Sequence, residues 1–308
     1  MINNIVFFNQ YHNGDCFVGK GWVRNIMQQL PDIKFKYAHK NHADIIKDLG
    51  CEHVALKDIP EIDRMVRIAQ SDDTLYINTW CGAFQGELFG YHQHSNYIIQ
   101  HRMYEMYCEQ LTRILGKPVT QSNNPHDYLP FIDFSYYDTK MVDQFVEDLS
   151  PYSRLVLFCN GPANSGQSSM GDMKFAIDYL SQEFPMDWAF ICTHDVGIDR
   201  DNVFYTNKAF NKASDLNEIA YLSTRTELIV GKNSGPYSYC QFADNMNDGQ
   251  RKFMCFGKLL TDCLNAGLEF PAEFKFCDQT NDRLITNILM RELLPKTERR
   301  TGMQHIMV

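Results

Sequence analysis

The chain of 308 residues carries a formal net charge of −9, with 29 Lys and Arg against 38 Asp and Glu. Binding along a phosphate backbone needs a positively charged face, so this balance argues against a nucleic-acid partner. The composition, 44% apolar and 22% charged, is typical of a globular protein, and a chain of this length can bury two cores of ordinary size.

The sequence lacks the signals of a secreted or membrane-spanning protein. No apolar run approaches the roughly eighteen residues that a spanning helix requires, and the opening MINNIVFFNQ has neither a basic stretch nor a cleavage site. The ten cysteines are scattered without a Cys-x-x-Cys pair, which favours reduced thiols in the core. We expect a cytoplasmic protein, and the basic C-terminal stretch PKTERRTGMQHIMV leaves open a peripheral contact with the inner face of a membrane.

Strand and helix patterns alternate along the first third of the chain. Short apolar runs predict strands at Ile5–Asn9, Ile33–Ala38, His53–Leu56 and Thr74–Thr79. Helical spacing of apolar residues predicts helices at Trp22–Leu30, Ala43–Leu49 and Tyr97–Leu115. Such alternation implies a parallel sheet covered on both faces.

A second alternation follows a break in the pattern. The run KPVTQSNNPHDYLP, which begins at Lys117, predicts a linker, and a helix is predicted at Lys140–Leu149. The strands predicted beyond it are Leu155–Cys159, Trp188–Thr193, Val203–Tyr205, Leu228–Val230 and Lys252–Phe256. The helices predicted there are Met173–Phe184, Leu216–Ser223, Tyr237–Asp244 and Asp282–Leu294.

These patterns predict an α/β protein with two Rossmann-like domains in tandem that face a central cleft. The domains span residues 1–116 and 151–308, and residues 117–150 form a linker and a connecting helix. Ligands of such sheets bind outside the carboxyl ends of the strands, so we expect the ligand site in the cleft between the domains.

The stretch VGKNSGPYSYC, Val230 to Cys240, interrupts an apolar strand with glycines and small polar residues. Gly231 and Gly235 let the backbone turn tightly, and Ser234 offers a hydroxyl. A helix that starts near Pro236 loses nothing from the missing N–H of proline, and its free N–H groups and positive dipole end attract phosphate. The same residues also fit an ordinary strand-to-helix turn with an Asn-Ser cap.

Another polar loop, CNGPANSGQSSMGD, follows the first predicted strand of the second half. Its amides and hydroxyls could form a second anion-binding nest, although a flexible surface loop is the alternative interpretation. Lys232, Lys20 and Arg24 are candidates for neutralising a diphosphate, and each also fits a solvated surface charge. No G-x-G-x-x-G motif follows the first strand, which weakens a dehydrogenase interpretation.

The run DLNEIAYLSTRTELIVGKNSGPYSYCQFA, Asp215 to Ala243, resembles the donor-site segment of heptosyltransferase-like glycosyltransferases of the GT-B fold. In that family an Asp-Ser-Gly-Pro or Asp-Thr-Gly turn faces the diphosphate of a nucleotide-sugar. The run NGDCFVG, Asn13 to Gly19, is similar to the family's first loop, where a Gly-Asp pair points an acidic side chain at the acceptor. Two positions differ, because Asn233 replaces the Asp of the turn and Ser238 replaces a frequent His.

The resemblance implies a glycosyltransferase that moves a sugar from a nucleotide-sugar donor to a glycan or glycolipid acceptor, with no essential metal and no cofactor. Asp15 would remove the proton of the acceptor hydroxyl, and the alternative is that Asp15 caps the helix that follows it. The predicted acceptor-binding residues are His12, Asn13, Gly14 and Trp80. The predicted donor-binding residues are Asn160, Gly161, Ser165, Gly166, Gln167, Lys232, Asn233, Ser234, Gly235 and Pro236.

Two other functions fit the same pattern. A sugar-nucleotide epimerase of similar architecture would act on the donor alone, and a two-domain nucleotide- or sugar-binding protein would keep the anion site without chemistry. No metal site is predicted, because no carboxylate or Cys stands at a matching interval from the His92–His94 pair.

Overall fold

Two β-sheets, one in each half of the chain, organise the fold. The computed structural model describes residues 2–40, 43–84, 96–162, 171–212, 214–232, 234–257 and 269–294. The first sheet contains β1 (Asn4–Asn9), β2 (Lys34–His39), β3 (Glu52–Ala55), β4 (Ile68–Ser71) and β5 (Thr74–Asn78). Its strands lie in the order β3-β2-β1-β5-β4, and β4 is antiparallel to β5 while the other pairs are parallel. The first half also contains the helices α1 (Asn13–Gln29), α2 (Asn96–Leu115) and α3 (Pro125–Tyr128).

The second sheet has six strands, all parallel, in the order β11-β10-β9-β6-β7-β8. They are β6 (Arg154–Cys159), β7 (Trp188–Cys192), β8 (Val203–Tyr205), β9 (Leu228–Gly231), β10 (Lys252–Gly257) and β11 (Glu273–Asp278). The helices of this half are α4 (Lys140–Asp148), α5 (Lys174–Glu183), α6 (Thr206–Phe210), α7 (Leu216–Ser223), α8 (Gly235–Cys240), α9 (Ala243–Asn247) and α10 (Asp282–Leu293). The predicted α/β class with two Rossmann-like sheets is confirmed.

The first helix begins at Asn13 and not at Trp22 as predicted. Its glycines favoured a loop in the sequence, but buried side chains such as Phe17 and Val23 fix the helix against the sheet, so packing outweighs propensity. The predicted helix Ala43–Leu49 is instead two 3-10 turns, and the second of them ends at Gly50 with a φ of 71°.

Two edge strands and one helix break escaped the sequence analysis. Strand β4 is an edge strand of the first sheet, and it gives no apolar run because it is polar and half-exposed. Strand β11 is an edge strand of the second sheet. The alternation of Phe274 and Phe276 with charged neighbours was the available signal for β11. The predicted helix Tyr237–Asp244 is divided into α8 and α9.

The segment predicted as a linker is packed against both halves. Val119, Leu129 and Phe131 are buried in the core of the first half, and Val142 of α4 is buried in a core of the second half. The two halves also meet directly, since Phe17 of α1 stacks on Tyr239 of α8 with 4.1 Å between ring centroids. Helices α1 and α8 each follow the carboxyl end of a strand, so this contact brings the strand ends of both sheets to one cleft.

The cysteines within the described residues form no disulfide, and all of these except Cys51 and Cys277 are buried. Nowhere in the described ranges is there a helix of the length and apolar character needed to cross a membrane.

Close packing along α1 gives a stability prediction. A Cβ at Gly21 would lie 2.0 Å from the carbonyl oxygen of Leu129, whereas a Cβ at Gly19 would meet only the Trp22 ring at 3.5 Å. We expect Gly21→Ala to lower the free energy of unfolding by about 1–3 kcal/mol through overpacking. Gly19→Ala is the matched control, and we expect it to be neutral or stabilising by up to about 1 kcal/mol. Urea denaturation of both variants measures the difference, and equal effects would contradict the packing argument.

Candidate functional site

Buried polar side chains hold the carboxyl edge of the first sheet together. The Asn9 amide donates to Thr79 Oγ1 at 3.1 Å, and its Oδ1 accepts from the Tyr11 backbone N–H at 2.9 Å. The Tyr37 hydroxyl lies 2.7 Å from Thr79 Oγ1. This network fixes the direction in which the chain leaves β1 and β5, and so it positions the residues that face the cleft.

Asp15 occupies the first turn of α1 and makes a capping contact there. Its Oδ2 accepts the backbone N–H of His12 at 3.3 Å, so the alternative prediction of a helix cap is realised in part. Hydrogen bonds to a carboxylate lower its pKa, but burial outweighs them here and raises the pKa of Asp15 above its ordinary value. A carboxylate with a raised pKa is a better proton acceptor than an exposed aspartate.

The other predicted acceptor-side residues surround this turn. His12 is exposed. The backbone oxygen of Asn13 accepts a hydrogen bond from the Tyr239 hydroxyl at 3.4 Å. A Cβ added to Gly14 would have no described atom within 4 Å, so the first turn of α1 faces unfilled space. These residues form one continuous surface at the cleft.

Trp80 has less free surface than the sequence analysis expected. Its ring stacks on Tyr11 with 4.0 Å between centroids and an interplanar angle of 28°. A Cβ at Gly82 would lie 2.1, 2.3 and 2.5 Å from three ring carbons of Trp80, and such similar distances place Gly82 over the ring face. Tyr11 and Gly82 therefore occupy much of the Trp80 ring surface, which leaves less of it for a sugar to stack on.

On the second sheet, Asn160 connects two strand ends. Its amide nitrogen donates to the backbone oxygens of Asp172 and His194, both at 3.1 Å, and its Oδ1 accepts the His194 N–H at 3.0 Å. These bonds occupy a fully buried side chain, so Asn160 shapes the site by holding its loops. Gly161, the next residue, lies against Thr193 and His194, since a Cβ there would be 3.6 Å from His194 Cβ and 3.9 Å from Thr193 Oγ1.

The turn after β9 combines a buried cation with a buried hydroxyl. Lys232 donates a hydrogen bond to the Gly171 backbone oxygen at 3.1 Å. Burial lowers the pKa of its ammonium group, although the negative charge of Asp172 acts to raise it. Ser234 precedes α8 with only 6% of its surface exposed, and its hydroxyl has no hydrogen-bond partner among the residues that the structure describes. Helix α8 begins at Gly235 with Pro236 in its first turn, which confirms the predicted helix start.

Thr193, at the carboxyl end of β7, is a candidate that the sequence analysis missed. Its hydroxyl is also buried, and no described residue forms a hydrogen bond with it. Strand β6 lies between β9 and β7, so the chain segment with Gly161 follows the central one of the three strands whose ends lead to Ser234, Gly161 and Thr193. An unsatisfied buried hydroxyl costs about 1–3 kcal/mol, and a polar ligand at Gly161 would remove that cost. The position of Thr193 at a predicted strand end was the available signal.

Four predicted donor-side residues, Ser165, Gly166, Gln167 and Asn233, lie outside the described residues. Two candidate cations are placed elsewhere. Lys20 is buried in an ion pair with Asp48 at 2.6 Å, and the Arg24 guanidinium lies 3.6 Å from the centroid of the Phe131 ring. Lys20 is therefore not available to a diphosphate, and Arg24 packs on the Phe131 ring. The described ranges contain no group of three or more His, Cys, Asp or Glu side chains with metal-binding geometry.

Two α/β domains whose strand ends face one cleft, with an acid on one side and buried hydroxyls on the other, have the architecture of the GT-B fold. No family model and no curated protein matches the sequence. Solved structures do match. A glycosyl transferase of family 9 from Veillonella parvula is 12% identical with a TM-score of 0.52, over 94% of this chain and 91% of that chain.

Two further structures share the fold. The E. coli heptosyltransferase WaaC with ADP-2-deoxy-2-fluoro heptose is 10% identical with a TM-score of 0.50, over 94% of this chain and 99% of that chain. A putative UDP-N-acetylglucosamine 2-epimerase from Listeria monocytogenes is 8% identical with a TM-score of 0.51, over 99% of this chain and 91% of that chain. At these identities the likeness establishes the fold of the chain.

Proposed function

We propose that the protein is a glycosyltransferase that moves a sugar from a nucleotide-sugar donor to a glycan or glycolipid acceptor. The observation that carries this proposal is that the buried hydroxyls of Ser234 and Thr193, at the carboxyl ends of the second sheet, have no hydrogen-bond partner among the described residues. Hydroxyl groups donate hydrogen bonds to phosphate oxygens, and Gly161 after the central strand lets a diphosphate approach the backbone. The donor is therefore assigned to the second domain.

Asp15 of the first domain is proposed as the base. Its carboxylate takes the proton of the acceptor hydroxyl, and the acceptor oxygen then forms a bond to the anomeric carbon of the donor sugar. The bond between that carbon and the diphosphate oxygen breaks, and the nucleoside diphosphate leaves with the electron pair. The raised pKa of Asp15 suits it for this proton transfer.

We propose that the charge of the departing diphosphate is stabilised without an essential metal. Lys232 lies between the strand end of β9 and Ser234, and a bound diphosphate would raise the pKa of its ammonium group again. The two hydroxyls add hydrogen bonds in a site with little access for water. Peripheral contact with a membrane is a further prediction, tied to a glycolipid acceptor.

The likeness to a 2-epimerase favours a second candidate function, in which the protein alters the sugar of the donor without an acceptor. Incubation with a panel of nucleotide-sugars in EDTA, with and without saccharide acceptors, separates the candidates. Transfer to an acceptor, or slow donor hydrolysis, supports the glycosyltransferase. An altered donor sugar supports the epimerase, and nucleotide binding without any turnover contradicts both enzymes. Activity that EDTA abolishes and Mg²⁺ or Mn²⁺ restores contradicts metal independence.

The donor pocket gives a direct binding prediction. Among the described atoms, a Cβ at Gly235 would meet only Leu216, at 3.9 Å, so a side chain can begin at Gly235 without a clash. The side chain added by Gly235→Val would stand at the start of α8, where backbone must approach phosphate, and we expect nucleoside-diphosphate affinity to fall at least about ten-fold. Thermal-shift titration measures the change, because bound ligand raises stability by mass action.

Gly249→Val is the matched control, since Gly249 precedes β10 and so lies at the amino ends of the strands, away from the donor site. Among the described atoms, a Cβ there would meet only Pro271, at 3.7 Å. We expect this control to keep wild-type affinity. Unchanged affinity in a folded Gly235→Val variant would remove the α8 turn from the donor site.

A further inference from the structure

Tyr11 stands at the carboxyl end of β1, between the covered Trp80 ring and the first turn of α1. One face of its ring is in contact with Trp80. The residue is half-buried, and within the described residues the only ring stacked on it is that of Trp80. Among the described rings, none covers the other face of Tyr11, which is the outer surface of this two-ring stack.

Three hydrogen bonds fix the position of Tyr11. Its N–H donates to Asn9 Oδ1 at 2.9 Å, and its hydroxyl accepts from Arg64 Nη1 at 3.2 Å. His39 Nε2 lies 3.1 Å from the Tyr11 backbone oxygen. Burial lowers the pKa of His39 to about 4, so the ring is neutral at pH 7 and its Nε2–H donates to that oxygen. A ring held this firmly loses little freedom when a ligand packs on it.

Residues of the proposed acceptor side follow Tyr11 in the chain, at the carboxyl end of β1. Gly14 leaves this part of the α1 turn unfilled by described atoms, and Asp15 is the next residue. A pyranose ring has an apolar face of C–H groups that packs on an aromatic ring, while its hydroxyls point outward to polar partners. A sugar on Tyr11 would thus present hydroxyls to the turn that carries Asp15.

The geometry points to Tyr11 as the residue that positions the acceptor, by stacking on the apolar face of a pyranose ring next to Asp15. This inference rests on the proposed function for its role in transfer, but saccharide binding at Tyr11 is testable without any donor. It moves the aromatic contact of the acceptor from Trp80 to Tyr11 and leaves Trp80 as the support beneath it.

Tryptophan fluorescence provides the measurement. Trp22 and Trp188 are fully buried, whereas Trp80 is half-buried and in contact with Tyr11, so a sugar on Tyr11 should change the emission of Trp80. The probes are methyl glycosides of glucose, galactose and mannose. We expect at least one of them to change the emission of the wild-type protein with saturation, and Trp80→Phe to abolish that response.

Variants of the platform then locate the bound sugar. We expect Tyr11→Leu to weaken saccharide binding about ten-fold, while Tyr11→Phe, which keeps the ring, restores affinity to within about two-fold. Gly14→Val fills the adjacent space without altering Tyr11, and we expect a comparable loss of binding. Tyr179→Leu on the outer face of α5 is the matched control and should bind as the wild type does.

Several outcomes would overturn the inference. They are no saturable response to any probe in the wild-type protein, a response that survives in Trp80→Phe, and equal losses in Tyr11→Leu and Tyr11→Phe. Thermal-shift titration with nucleoside diphosphates, run in parallel, keeps the two proposals apart. Nucleotide binding without a saccharide response contradicts the role of Tyr11 alone, whereas a saccharide response with no turnover of any donor contradicts the glycosyltransferase.

Discussion

Replacing Asp15 by Asn is expected to lower turnover about a hundred- to ten-thousand-fold, the range typical of losing a general base. The amide keeps the size of the side chain and an oxygen that can accept the His12 N–H, so the first turn of α1 should persist. Donor binding should be unchanged, because the proposed donor residues belong to the second sheet. Steady-state kinetics with nucleoside-diphosphate titration on the same preparation measures both quantities.

The melting temperature of Asp15→Asn tests the alternative role. Burial raises the pKa of Asp15, so its contribution to stability is present below the unfolded pKa and is lost as pH rises through the folded pKa. An uncharged Asn avoids that loss, and at pH 7 we expect an equal or higher melting temperature. If Asp15 served only as a cap, the variant would melt earlier and keep near-normal turnover.

The pH dependence follows from the same shift. A base must be deprotonated to act, so wild-type kcat should rise with pH through the raised pKa of Asp15. The residual activity of Asp15→Asn should lack this acid limb. Asp32→Asn is the control. Asp32 is an exposed carboxylate that precedes β2, at the amino ends of the strands, so this variant should keep the wild-type pH profile.

Replacing Lys20 by Met is expected to cause the largest loss of stability. Lys20 and Asp48 form an ion pair at 2.6 Å with 1% and 0% of their side chains exposed. The Asp48 carboxylate also accepts the Asp133 N–H at 3.0 Å and the Tyr137 hydroxyl at 3.1 Å. Removing one partner of a buried pair leaves an uncompensated charge, and we expect the free energy of unfolding to fall by about 3–5 kcal/mol.

An exposed pair in the same domain is the matched control. Lys36 and Glu52 are 2.9 Å apart with 40% and 61% of their side chains exposed. Lys36→Met should cost less than about 1 kcal/mol, because solvent already screens the interaction. Urea denaturation of both variants gives the comparison, and similar losses for the two would contradict the special role of the buried pair.

Much of the fold could be predicted because buried parallel strands have a simple signature. Strands such as β6 and β7 are continuous apolar runs, and the pattern located both of them to within a residue. The start of α1 could not be predicted in this way. Gly19 and Gly21 disfavour a helix locally, and the contact between Gly21 and Leu129 that favours this one joins distant parts of the sequence.

The candidate site, like the fold, could be predicted only in part. The start of α8 at Gly235 was predictable, since Gly235 and Pro236 after an apolar strand by themselves suggest a helix start. The candidacy of Thr193 depends on the absence of a described partner for its hydroxyl, and that of Tyr11 depends on Gly82 covering Trp80. Both depend on three-dimensional packing, which could not be predicted from a single sequence.

Helix α8 connects the proposed diphosphate pocket with the turn that carries Asp15, and its length is fixed. Ser234 at its start belongs to the proposed diphosphate pocket, and Tyr239 near its end holds the turn of Asn13 and Asp15 through its hydroxyl and its stacking on Phe17. Six residues of α-helix measure about 9 Å. The distance between the leaving group and the base is thus set by a single rigid turn-and-a-half of backbone, and a residue inserted into α8 would misalign both ends at once.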